Sequence, residues 1–208
     1  MLMGITAGVT SEVTPAQAAT TISAPAALNK LAVKGRAPKT GYERTKFSDG
    51  WGDIGSCDVR NFILERDLTN ITWRSSPDCT VATGTLKDPY TGKVINFVRG
   101  VGSSLAVQID HVVAVSDAWQ KGAQQFSYAK RNSFYNDPLN LLAVDGPTNS
   151  SKGDSDAASW LPPNKNFRCA YVARQIAVKR KYSIWVTAAE KSAMAGVLTR
   201  CPTQKLPN

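Results

Sequence analysis

Four cysteines, Cys57, Cys79, Cys169 and Cys201, set the strongest limit on what this 208-residue chain can fold into. They are even in number and lie far apart, and no C-x-x-C pair occurs among them. Zinc ribbons and thioredoxin-type redox motifs need closely spaced thiols, so both are excluded on this pattern. Two disulfides formed in an oxidising compartment are expected instead. Pairing neighbours in sequence joins Cys57 to Cys79 and Cys169 to Cys201, with the other connectivities of four cysteines still open. The length suits one packed domain and a leader.

The leader is expected over residues 1–40. "MLMGITAGVTSEVTPAQAATTISAPAALNK" has no aromatic residue and a single acidic one, and Ala16-Gln17-Ala18 reads as a small-x-small signal-peptidase site. Residues 1–40 are therefore expected to be a signal-peptide remnant with a disordered Ala-rich tail, and 41–208 the folded domain of a secreted protein. The apolar run before Ala16 is too short to span a bilayer, so no membrane partner is expected. Lys and Arg number 25 against 16 Asp and Glu, a formal charge of +9 spread along the chain. Such a surface attracts polyanions, nucleic acid among them, although charge alone is a weak discriminator.

The residue pattern gives an α+β order. In "CDVRNFILERDLTNITW", Phe62, Ile63, Leu64, Leu68 and Ile71 fall near helical spacing. "CTVATGTLKDPYTGKVINFVRG" alternates apolar and polar residues on both sides of the turn formers "DPYTG", which predicts a hairpin. "SLAVQIDH" is a further strand, "VSDAWQKGAQQFSYAKRNSF" helical pieces broken near Gly122, and "NDPLNLLAV" a turn followed by a buried strand. A helix is expected to open near Asn149, another over "RCAYVARQIAVKRKY", and a last one behind Thr187 and Glu190, which have capping-box spacing. The run Lys179-Arg180-Lys181 reads as a solvated helix end, and the five tryptophans as core or loop anchors.

His111 is the single histidine of the chain and follows Asp110 at the end of an expected strand. A lone histidine among apolar residues is as a rule a satisfied structural group, and asparagines commonly cap helices. The combination is more specific. Asp110 and the amide oxygen of Asn149 are hard oxygen ligands, enough for one Mg²⁺ that keeps water in its other positions. An imidazole with a reference pKa of about 6.5 is largely neutral at pH 7 and can take a proton from an attacking water. Adjacent strand residues point to opposite faces, so the two can share a site only if the strand ends or twists there. Arg131, between these segments, is a candidate substrate contact.

"DHVVAVS", "NDPLNLLAV" and "NSSKGDSD" resemble the three sections of an HNH endonuclease of the ββα-metal superfamily. The likeness is to its secreted branch, related to the C-terminal nuclease domain of GmrSD-type restriction enzymes. "YERTKFSDGW", "CDVRNFIL", "DPYTGKVINFVRG", "WLPPNKNFRCAYVARQIAVKRKYSIWV" and "LTRC" share it, over about residues 41 to 201. The resemblance implies a ββα-metal core with a preceding hairpin and flanking helices, stapled by the disulfides. It implies one Mg²⁺ or Mn²⁺ on Asp110 and Asn149, and His111 as general base. Asn140 would fix the imidazole and its loop, and Lys152 would meet a backbone phosphate or the developing charge. The expected activity is cleavage of DNA, or of RNA, by a monomer with little sequence preference. The competing expectation is a secreted polyanion-binding protein with an inactive nuclease fold, against which the intact Asp110, His111, Asn140 and Asn149 set argues.

Overall fold

A computed structural model describes residues 22–74 and 79–207. Ala16-Gln17-Ala18 lies outside the described residues. The first helix, α1 (Ala24–Asn29), starts behind Ser23, whose hydroxyl accepts from the Ala26 N–H, and Pro25 sits in the first turn, where no N–H is needed. Ala24, Ala27, Leu28 and Leu31 are buried in the core shared with the last two helices. The Ala24 N–H donates to Gln204 O at 2.7 Å, and Ala32 and Lys34 bond to the backbone of Val186. This corrects the expectation of a disordered tail up to residue 40. Small side chains made the segment look like a leader, and the same small side chains let a short helix pack closely.

Two short strands, β1 (Asp53–Ile54) and β2 (Cys57–Asp58), lead into α2 (Val59–Asp67), capped by the Asp58 carboxylate accepting from Asn61 N–H at 2.6 Å. The helix ends earlier than the apolar spacing predicts. Leu68 to Trp73 form β3, in which Thr69, Ile71 and Thr72 are β-branched and Asn70 takes a positive φ of 51° beside a bulge. The expected hairpin follows as β4 (Val81–Lys87) and β5 (Val94–Val98), completing a three-stranded antiparallel sheet. Its turn is held by the Asp88 carboxylate, which accepts from the N–H groups of Tyr90 and Thr91.

The remainder runs β6 (Val107–His111), α3 (Val115–Gln120), α4 (Tyr128–Tyr135), β7 (Leu141–Asp145), α5 (Gly146–Lys152), α6 (Arg168–Tyr182) and α7 (Ala188–Leu198). Strands β6 and β7 pair antiparallel, with Val107 opposite Asp145 and His111 opposite Leu141. Leu141 to Val144 are all buried, which explains the unbroken apolar run of β7. Asp145 caps α5 by accepting from the Thr148 N–H at 2.8 Å, and Pro147 occupies the first turn. Gly146 is required where it stands, because an added Cβ would fall 1.9 Å from the Leu105 carbonyl oxygen. Helix α5 then returns along β6, bonding Asn149 to Gln108 and Lys152 to Asp110. The result is a strand, a long connection, a partner strand and a helix folded back over the first strand.

The four cysteines form two disulfides, Cys57–Cys79 and Cys169–Cys201, and none is free. The first ties β2 to the start of β4, and the second ties α6 to the end of α7. Between α3, α6 and α7 lies a charge cluster shielded from water. Lys121 Nζ lies 2.7 Å from Asp117, 2.7 Å from Asp156 and 2.6 Å from Glu190, and Lys179 Nζ lies 2.9 Å from Glu190. Arg36 closes it with contacts to Asp117 and Asp156. Three cations therefore face three carboxylates. Burial lowers the proton affinity of Lys179, and the charges of Glu190 and Asp117 more than reverse that, so its pKa is raised. Lys179 is thus no solvated helix end, in contrast to the expectation for Lys179-Arg180-Lys181.

Candidate active site

Strand β6 ends at His111, still paired in register with β7. Asp110 and His111 both line one open cavity of about 270 Å³, together with Tyr42, Arg44, Asn149 and Asp154. The turn after β6 is clamped by Asn140. Its side-chain oxygen accepts from the Val113 N–H at 2.8 Å, its amide nitrogen donates to Val113 O, and its own carbonyl accepts from the Val112 N–H. Asn140 holds the loop, whereas the imidazole is held elsewhere, by the backbone carbonyl of Tyr135, 2.8 Å from His111 Nε2.

That contact fixes the tautomer. A carbonyl only accepts, so Nε2 must carry the hydrogen and Nδ1 keeps the lone pair. Trp51 stacks on the imidazole at 5.7 Å with planes 9° apart, and the Tyr135 ring lies 4.4 Å away. Burial pushes the imidazole pKa down to about 3; the charge of Arg44 adds to this, the Tyr135 carbonyl opposes it, and Lys152 lowers it further.

The Asp110 carboxylate accepts the Tyr90 hydroxyl on Oδ2 and the Lys152 ammonium on Oδ1, the latter at 2.8 Å. Burial, then the charge of Asp110, keeps the Tyr90 hydroxyl protonated far above its ordinary range. Each carboxylate oxygen retains a second lone pair. Lys152 is fully buried and also donates to His111 O at 2.9 Å, so its ammonium is engaged inside the protein and does not line the cavity. Arg131 is likewise engaged, donating to the carbonyls of Lys46 and Phe126, and lies outside the cavity lining. Asn149 does line it. Its amide nitrogen donates to Gln108 Oε1 at 2.9 Å, which leaves its oxygen as an acceptor.

Asp110 and Asn149 thus bring two hard oxygen donors to one cavity. Among the described residues no group of three or more His, Cys, Asp and Glu gathers to hold an ion. Two protein oxygens suit a small cation that keeps most of its water, and do not suit a zinc cage. Sequence reasoning missed Tyr90, Trp51, Tyr135 and Arg44. Tyr90 lies inside a turn motif, and Arg44 and Trp51 inside "YERTKFSDGW", which no local spacing links to Asp110 or His111.

The chain is thus a disulfide-stapled α+β domain with an oriented imidazole, a carboxylate and an amide around one open cavity. The chain belongs to the family of the C-terminal domain of GmrSD restriction endonucleases, which it matches over residues 58–197. It is 36% identical over 207 residues to a protein of Arthroderma benhamiae named "Uncharacterized secreted protein", covering 96% of this chain and 98% of that one. No solved structure matches. With two disulfides and that relative, the chain is a secreted protein. No helix among the described residues is long and apolar enough to cross a membrane.

Proposed function

We propose that this chain is a secreted, cation-dependent endonuclease that hydrolyses phosphodiester bonds in DNA, or RNA, with little sequence preference. The observation that carries the reading is the bond from His111 Nε2 to the Tyr135 carbonyl, because it leaves Nδ1 as the proton acceptor of a residue that lines one cavity with Asp110 and Asn149. Membership in a family of nuclease domains and a net charge of +9 support it.

In this reading His111 takes a proton from water at Nδ1 while the Tyr135 carbonyl and the Trp51 ring hold the imidazole in place. The hydroxide oxygen bonds to phosphorus, the bond to the 3′ oxygen breaks, that oxygen takes a proton from solvent water, and His111 returns its own proton to solvent. One divalent cation, Mg²⁺ or Mn²⁺, would be held by Asp110 and Asn149 and would supply positive charge to the phosphate and the leaving oxygen. Arg44 and Lys152 both depress the basicity of His111. The negative charge of a bound phosphodiester opposes these two cations. Lys152, bonded to Asp110 and to the His111 carbonyl, positions these two residues.

Water attack with 3′-oxygen departure leaves a 5′-phosphate and a 3′-hydroxyl. DNA fragments made by the protein are therefore expected to be rejoined by a DNA ligase with no end treatment. Fragments that need phosphatase and kinase treatment first would overturn this chemistry.

A further inference from the structure

We infer that Arg44 grips the phosphate being cleaved, an assignment that rests on the nuclease reading above and adds a residue that lies before the family match begins. Arg44 is the one cationic side chain among the described residues that line the cavity of Asp110 and His111. The carboxylates around it are otherwise engaged. Asp110 faces Lys152 at 2.8 Å, and Asp154 faces Lys39 at 3.0 Å and accepts from Ser116. No carboxylate of the described residues pairs with Arg44, whose Nε donates to the Tyr135 hydroxyl at 3.2 Å while its guanidinium lies 5.0 Å from that ring's centroid. Both terminal nitrogens are left without a partner among the described residues, and together they form the fork that fits two oxygens of one phosphate.

Placement argues the same way. Tyr135 holds the base with its carbonyl and the guanidinium with its hydroxyl, so one residue sets the distance between proton acceptor and anion grip. The segment carrying Arg44 is fixed by Phe47, which is fully buried against Trp119 and Phe134. Lys152 and Arg131, the cations the sequence pointed to, are tied to internal acceptors. Arg44 is exposed, and its guanidinium is the charge an incoming diester meets at the mouth of this cavity.

The test uses two substrates and one binding measurement. With bis(p-nitrophenyl) phosphate, which has a single diester, and with plasmid DNA, Arg44→Ala is expected to lose about 10²-fold in kcat/KM. Arg44→Lys should recover part of that loss, and Arg44→Gln, which keeps a donor for Tyr135 but no charge, should not. A wild-type rate for Arg44→Ala on the single diester overturns the assignment. Separately, on a His111→Ala background, a fluorescent oligonucleotide is titrated at increasing salt. Removing Arg44 should reduce the slope of log K against log salt by about one. An unchanged slope also overturns it. If the wild type cleaves nothing under any divalent cation, the nuclease reading falls, and the salt slope alone decides for or against a phosphate contact by Arg44.

Discussion

His111→Ala is expected to lower the rate of phosphodiester cleavage by about 10²- to 10⁴-fold, the contribution of a positioned general base. No other histidine exists to replace it. The position of the ring depends on Tyr135 and Trp51 rather than on the cation ligands, so the variant should still bind nucleic acid with nearly unchanged salt dependence. Truncation also opens a space beside those two rings. Free imidazole added to His111→Ala should enter it and restore part of the rate, more at pH 8 than at pH 5, because only the neutral form accepts a proton. A variant that cleaves at the parental rate, or one whose loss simply follows unfolding in a thermal scan, would count against His111 as the base.

Lys121→Met is expected to cost about 3–5 kcal/mol of stability, the usual result of removing one partner from a buried ionic group. Lys121 has no exposure to solvent and lies between Asp117, Asp156 and Glu190, so its loss leaves three carboxylates facing Lys179 and Arg36. Asp117 Oδ1 and Glu190 Oε1 have no aligned hydrogen bond, and without Lys121 they keep only the charges of Arg36 and Lys179. For a chain of this size the loss corresponds to a fall in Tm of roughly 10 °C. Lys39→Met is the matched control. It breaks the exposed pair with Asp154 and should cost less than about 1 kcal/mol. Similar melting temperatures for the two variants would show that the buried cluster contributes little. The cluster joins the segment before residue 41 to α3, α6 and α7, so the same variant reports whether that segment belongs to the folded unit.

What could be read from the sequence was mostly local. Alternation around "DPYTG" located β4 and β5, because a turn held by Asp88 needs only neighbours. The Thr187 hydroxyl does accept from the Glu190 N–H, as the capping spacing predicts. The other half of a capping box is absent, because the Glu190 side chain turns to Lys121 and Lys179, partners far away in sequence. The end of α2 at Asp67 was missed because Leu68 and Ile71 fit a helical period equally well, and the pairing of β3 with β4 decides against it. Composition marks residues 1–40 as a leader, because it cannot show that Ala27 and Leu28 meet α6 and α7.

The site divides in the same way. Asp110, His111 and Asn149 share a cavity, and Asn140 clamps the turn beside it, as far as residue types and order could suggest. The surroundings of the cations were not legible, since whether a lysine meets a carboxylate depends on which strand lies beneath its helix. Lys152 lies over β6 and is bonded to Asp110. Arg44 comes from a segment sixty-six residues before Asp110, counted as 110 minus 44, and no local pattern links the two.

The most direct test of the central claim is incubation of the purified wild-type protein with supercoiled plasmid, with Mg²⁺ and with excess chelator. The account predicts conversion to nicked and then linear DNA in Mg²⁺ and intact plasmid in chelator. Retardation of the plasmid in a gel with no cleavage under Mg²⁺ or Mn²⁺ would contradict it, and so would cleavage that persists in chelator.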